Sequence, residues 1–228
     1  MSGIISASMM CSKLIDLKET IKIFEEEHVD YLHIDVMDGE FVPNFGLGVD
    51  YIRGLRDLTQ IPLDLHLMIK NPEYKLRWIG IKENDIVSIH YESTYQIQRA
   101  LDWLLPFKCK KFLAINPATP IYCLEEVLEY IDGINVLMVN PGFAGQAIVP
   151  STIQKVKKIK KLLCHNNKNN ISIEVDGNIS LENGSILRKI GARIFVGGTS
   201  SIFRNGVTNF RKNIKDFRKM LDQEPDIE

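Results

Sequence analysis

Eight short apolar, β-branched runs recur along the chain, at residues 3–10, 31–37, 62–69, 85–92, 111–116, 134–140, 171–177 and 192–198. Between them lie stretches whose apolar residues return at helical spacing: 16–28, 51–58, 94–105, 121–131, 152–163 and 181–190, with a weaker one at 73–80 and a last one at 207–221. Strands separated by helices need crossover connections, so they pair in parallel and carry the helices outside. Eight such units in 228 residues is the count and length of a (β/α)8 TIM barrel, a single domain over residues 1–228. A doubly wound open sheet is the alternative, because periodicity does not distinguish a closed sheet from an open one. The polar tract at 165–170 then joins a helix to a strand at the N-terminal face, and the acidic tail at 222–228 is expected to fray.

The composition excludes several classes of partner. With 45% hydrophobic residues the chain can bury a large core, and a net charge of −1 offers no general attraction for nucleic acid. The lysines between 155 and 161 share a helical pattern with Val156, Ile159, Leu162 and Leu163, which makes them the solvated face of an amphipathic helix. Cys11, Cys109, Cys123 and Cys164 form no CxxC pair, so a reducing cytoplasm is the expected location. No signal segment and no apolar span of about 20 residues points to a membrane.

Polar residues gather near the C-terminal ends of the strand runs, where a parallel barrel builds its active site. In HIDVMDG (33–39), the two-residue period puts His33, Asp35 and Met37 on one face. Ser8, His66, His90, Glu92 and Asn116 stand near the ends of other strands, and NPGFAGQ (140–146), DGN (176–178) and GGTSS (197–201) follow the last three. His33, Asp35, His66 and Asp176 can converge on a divalent metal from three strands, and imidazole with carboxylate suits Zn, Mn, Fe or Co better than Ca. Any one of these histidines would also fit as a satisfied core residue, and His90 fits equally as part of a pocket wall.

Glycines suggest a second function for the same face. Gly142, Gly145, Gly177, Gly197 and Gly198, with Thr199, let backbone N–H groups approach an anion, and the loops after strands seven and eight commonly hold phosphate in such barrels. A phosphorylated substrate is expected. Met37, Met68 and Met138 serve either as core filling or as an apolar pocket wall.

The stretches HIDVMDGEFVPN (33–44), LDLHLMI (63–69), NPATP (116–120), VNPGFAGQ (139–146) and EVDG (174–177) resemble, in order and spacing, those of the ribulose-phosphate 3-epimerase family. The resemblance covers nearly the whole chain. It implies a barrel that inverts C3 of a phosphorylated ketose with a divalent metal (Zn, Mn, Fe, Co or Mg) and no organic cofactor, in a homo-oligomer. It makes His33, Asp35, His66 and Asp176 the metal ligands, with Asp35 and Asp176 also the acid and base. Ser8, Met37, His66, Met68 and Met138 match the substrate pocket. Asn140, Gly142, Phe143, Ala144, Gly145, Gly177, Asn178, Gly198 and Thr199 match the substrate and phosphate loops.

Three stretches depart from the usual family pattern: SMMCSKL (8–14), EVDGN (174–178), where Asn178 replaces a customary glycine, and VGGTSSIF (196–203). They are more similar to the allulose-6-phosphate 3-epimerase branch. The expected reaction is therefore allulose 6-phosphate to fructose 6-phosphate, with ribulose 5-phosphate to xylulose 5-phosphate the alternative. A Schiff-base aldolase would need a pocket lysine, but Lys111 begins a strand and Lys70 lies just beyond one. A metal-free decarboxylase would leave two histidines and two carboxylates without work, and a non-catalytic sugar-phosphate-binding barrel is the non-enzyme alternative.

Overall fold

The computed structural model describes residues 2–222 and closes the eight strand runs into one parallel barrel in chain order. The strands are β1 (Ile4–Ser8), β2 (Tyr31–Met37), β3 (Leu63–Met68), β4 (Ile86–His90), β5 (Lys110–Ile115), β6 (Gly133–Leu137), β7 (Ser172–Asp176) and β8 (Ile194–Gly197). β8 pairs back onto β1, with Ile4 opposite Ile194 and Ala7 opposite Gly197. That closure removes both sheet edges and overturns the open-sheet alternative.

The outer ring holds the α-helices α1 (Leu17–Glu26), α2 (Val49–Leu58), α3 (Ile97–Asp102), α4 (Ser151–His165), α5 (Leu181–Ile190) and α6 (Phe210–Leu221). The pattern at 121–131 forms a 3-10 helix instead, Ile121–Tyr130. Ile121, Leu124 and Val127 recur at every third position, the period of that helix, and Leu128 joins them against the core. The weak pattern at 73–80 yields two single 3-10 turns, Pro72–Tyr74 and Leu76–Trp78. α6 closes the ring: the Gly3 N–H donates to the Leu221 carbonyl at 3.3 Å. All but the first residue of the acidic tail at 222–228 lies outside the described residues. No described helix is long and apolar enough to cross a membrane.

Strand alternation divides the protein into nested layers. From β2, Leu32, Ile34 and Val36 point outward and pack with Phe24 of α1 and Ile52 and Leu55 of α2, each burial contributing about 1.5–3 kcal/mol. Tyr31, His33, Asp35 and Met37 point into the barrel. There, Tyr31, Ile86, Phe112 and Ile194 plug the N-terminal end. Gly133 admits the Phe112 ring, since a Cβ at that position would come within 2.2 Å of its Cζ. Above the plug lies a layer of buried polar residues, Ser6, His33, Asp64, Ser88, Asn135 and Glu174. Met37 and Met68 pack with Val42 at the C-terminal mouth.

Candidate active site

The register between β2 and β3 sets the centre of the site: His33 lies opposite Asp64, and Asp35 opposite His66. Asp64 accepts a hydrogen bond from the Ser6 hydroxyl at 2.7 Å and another from Nδ1 of His33 at 2.7 Å. A carboxylate acceptor fixes the proton on Nδ1, so Nε2 is the nitrogen presented to the cavity side. Nε2 makes no hydrogen bond and lies 3.4 Å from Asp35 Oδ1 and 3.6 Å from Asp176 Oδ2. His66 Nδ1 faces the same two oxygens, at 3.2 and 3.4 Å.

These four distances test whether a metal fits. Tetrahedral ligands at Zn–N and Zn–O lengths stand roughly 3.3 Å apart, about 1.6 times the bond length. The ligand atoms of His33, Asp35, His66 and Asp176 span 3.2–3.6 Å along four of their edges, and all four atoms fall within 4.8 Å of one another. The donor set fits a four-coordinate divalent ion and offers no array of oxygens for Ca.

Electrostatics agree with that arrangement. Burial penalises a charge on Asp35, but His33 and His66 outweigh it and lower its pKa to about 2; Asp176 is held well below the usual carboxylate range by the same balance. Burial also opposes protonation of His33 and His66, yet the facing carboxylates outweigh it and raise both. In the absence of metal, protons on the imidazoles therefore neutralise the two carboxylates.

An open cavity lies over this cluster. Ser8, Asp35, Met37, His66, Met68 and Asp176 line its floor, with the Ser8 hydroxyl 3.4 Å from Asp35 Oδ2. Its rim is formed by Asn140, Gly142, Phe143, Ala144 and Gly145 after β6, Gly177 and Asn178 after β7, and Gly198 and Thr199 after β8. His33 sits just behind the floor, fully buried. No lysine is among the lining residues, which leaves a Schiff-base reading without its amine.

Two sequence expectations are corrected. Met138 does not reach the cavity: it has the outward parity of Ile134 and Val136 and packs in the layer between sheet and helices, while Leu137 and Val139 line the pocket. His90 and Glu92 are not a pocket wall either. His90 is fully buried, with Nε2 2.7 Å from Nε2 of His66 and Nδ1 3.2 Å from Glu92 Oε2. Sequence reasoning also missed Asp64 and Glu174, whose inward parity on β3 and β7 was the available signal. It missed Gln146 and Ser200 at the rim as well.

Asn178 organises the rim. Its φ of 51° is a left-handed conformation that asparagine tolerates better than most residues with a side chain. Its side-chain amide donates to the Gln146 carbonyl at 2.8 Å, and its Oδ1 accepts from the Ser200 hydroxyl at 2.9 Å. One side chain thus ties the loops after β6, β7 and β8 together.

The closed parallel barrel, with two carboxylates and two histidines converging beneath a glycine-lined rim, defines a (β/α)8 barrel with a polar site at the C-terminal ends of its strands. The fold recurs in 3-keto-L-gulonate-6-phosphate decarboxylase from Vibrio cholerae, with a TM-score of 0.72 at 12% identity over 97% of this chain and 98% of that one. Sequence narrows the class: the model of the ribulose-phosphate 3 epimerase family matches residues 4–203. The chain is 35% identical to the chloroplastic ribulose-5-phosphate-3-epimerase of Arabidopsis thaliana, over 94% of this chain and 76% of that protein. It is 32% identical to the ribulose-phosphate 3-epimerases of Bacillus subtilis, covering 94% and 97%, and of Methanocaldococcus jannaschii, covering 93% and 89%. The chain belongs to the ribulose-phosphate 3-epimerase family and is an isomerase acting on a carbohydrate.

Proposed function

We propose that this protein interconverts ribulose 5-phosphate and xylulose 5-phosphate by inversion at C3. The observation that carries the reading is the convergence of Asp35 and Asp176 from strands β2 and β7 onto one cavity floor. A hydrogen on C3, next to the C2 carbonyl, is acidic enough to move only when the charge left behind is stabilised. One aspartate, ionised, takes that proton; the other, which must take up a proton when the reactive complex forms, delivers it to the opposite face of the planar enediolate. The protein ends with the proton on the other carboxylate, so the reverse reaction uses the same pair. A divalent metal held by His33, Asp35, His66 and Asp176 would supply Lewis-acid polarisation of the substrate's oxygens. Met37 and Met68 wall the floor and keep water from the enediolate, and the Ser8 hydroxyl orients Asp35.

Rim backbone N–H groups of Gly142–Gly145, Gly177, Gly198 and Thr199 hold the phosphate in this reading. Allulose 6-phosphate is the second reading, favoured only by the loop stretches around Met10, Asn178 and Thr199, whereas the relatives described above carry the ribulose-phosphate name. The test is NMR in D2O of metal-loaded protein with each substrate, following exchange of the C3 proton and appearance of the epimer. Faster conversion of the five-carbon substrate is expected; preference for the six-carbon one would reverse the assignment, and exchange with neither would leave a binding protein.

The reading also takes the chain as one domain working in the cytoplasm, where its four free cysteines stay reduced. It includes self-association. Tyr74 and Trp78 are 67% and 63% exposed, and Tyr74 stacks edge-on with Trp103 at 5.9 Å, giving an aromatic face that a second copy can cover. Sedimentation of the wild type against Trp78→Glu tests that face.

A further inference from the structure

We infer that His90, anchored by Glu92, is a positioning residue that fixes which nitrogen of His66 serves the metal site. The inference rests on the metal-dependent reading above. His66 Nε2 and His90 Nε2 lie 2.7 Å apart, so one nitrogen carries the proton and the other offers its lone pair. Which is which follows from the far end of the chain. His90 Nδ1 faces Glu92 Oε2 at 3.2 Å, and an ionised carboxylate only accepts, so Nδ1 carries the His90 proton. Nε2 of His90 is then the acceptor, and His66 donates from its own Nε2. Nδ1 of His66 faces Asp35 and Asp176 at 3.2 and 3.4 Å, and the proton it shares with them is the one a metal would displace, which frees the Nδ1 lone pair while Nε2 keeps its proton on His90.

Glu92 is itself held in place, which gives the chain a fixed direction. Its Oε1 accepts from the Asn116 N–H at 2.9 Å and from the Thr119 hydroxyl. The loop carrying those donors is held by Lys155, whose ammonium donates to the carbonyls of Asn116, Pro117 and Thr119 at 2.7, 2.6 and 2.6 Å. The Phe41 ring packs 4.8 Å from His90, and His90 does not line the cavity, so it acts on His66 rather than on substrate. His33 reaches the same end by another route, through Asp64.

The test is metal affinity with Co2+ as probe, read by chelator competition and by the visible d–d spectrum, on the wild type, His90→Phe and His90→Gln, with folding checked by circular dichroism. Phenylalanine keeps a ring but removes the acceptor; the glutamine Oε1 restores an acceptor for His66 Nε2–H. His90→Phe is expected to weaken binding about 10–100-fold and His90→Gln to recover most of it. Long-range 1H–15N spectra of the Zn2+-loaded wild type should place the His90 proton on Nδ1, a readout that survives even if a variant misfolds. Wild-type affinity in folded His90→Phe, equal loss in both variants, or a proton on Nε2 of His90 would overturn the inference alone. Absence of Co2+ binding by the wild type would overturn the metal reading and this inference with it.

Discussion

Asp64 Oδ2 lies 2.7 Å from His33 Nδ1 in a layer of the barrel that no solvent reaches. That contact decides which imidazole nitrogen points at Asp35 and Asp176. Asp64→Ala should therefore lower divalent-metal retention about 10–100-fold, measured by metal analysis after dialysis against a weak chelator. Asp64→Asn, whose Oδ1 can still accept from Nδ1, should retain more metal than Asp64→Ala. Equal retention by all three proteins would mean that Asp64 only fills space.

At the proposed metal site a divalent ion and protons would compete, and the sign of the pH dependence follows. Burial opposes charge on His33 and His66, but the carboxylates outweigh it and raise both above the ordinary 6.5. That contribution to metal-free stability is complete below pH 6.5 and is lost as pH rises through the raised values. Asp35, lowered to about 2, contributes above 3.8 and loses its share as pH falls toward 2. Metal needs both imidazole lone pairs, so it displaces those protons. The rise in Tm on adding Zn2+ should accordingly be larger at pH 8 than at pH 6, by calorimetry; an equal rise at both would show that the histidines are not ligands.

Most of the barrel was legible because two periods suffice for it. The two-residue alternation in YLHIDVM and LDLHLM separates outward Leu32, Ile34, Leu63 and Leu65 from inward His33, Asp35, Asp64 and His66, and the helical patterns supply the crossovers. Closure was legible only from the count of eight units and the chain length, because the periodicity of an open sheet is the same and the β8–β1 pairing joins strands at opposite ends of the chain. Met138 was misplaced because nearness to a strand end was weighed above parity. The His66–His90 contact joins adjacent strands, but which groups meet there is a matter of side-chain rotamers, and spacing carries no trace of it. Asn178 is legible as a residue suited to a left-handed turn, but its partners Gln146 and Ser200 lie 32 and 22 residues away.

The plug at the N-terminal end should be intolerant of small additions. Gly133 faces the Phe112 ring so closely that a methyl group would overlap three of its carbons, at 2.2–2.4 Å. The ring packs with Tyr31, Ile86 and Ile194 and is 1% exposed. Gly133→Ala should cost about 1–3 kcal/mol in urea unfolding, or more, while metal affinity of the folded fraction stays near wild type. A neutral effect would mean that the plug repacks freely.

The rim offers the clearest separation of binding from fold. Asn178 links the Gln146 carbonyl to the Ser200 hydroxyl, and its backbone sits at φ 51°, which glycine adopts at no steric cost. Asn178→Gly thus removes two inter-loop hydrogen bonds without straining the turn, whereas Asn178→Ala removes the same bonds and adds strain. Each lost bond is worth about 0.5–1.5 kcal/mol, and part of that loss falls on the order of the rim loops proposed to hold the phosphate. KM for the phosphorylated ketose should rise several-fold in Asn178→Gly with kcat nearly unchanged, and further in Asn178→Ala with a fall in Tm. If the glycine variant instead leaves KM unchanged and alters only the ratio of five-carbon to six-carbon turnover, the side chain reads substrate length rather than holding the loops. A fall in kcat alone would place Asn178 in the proton-transfer step and exclude both roles.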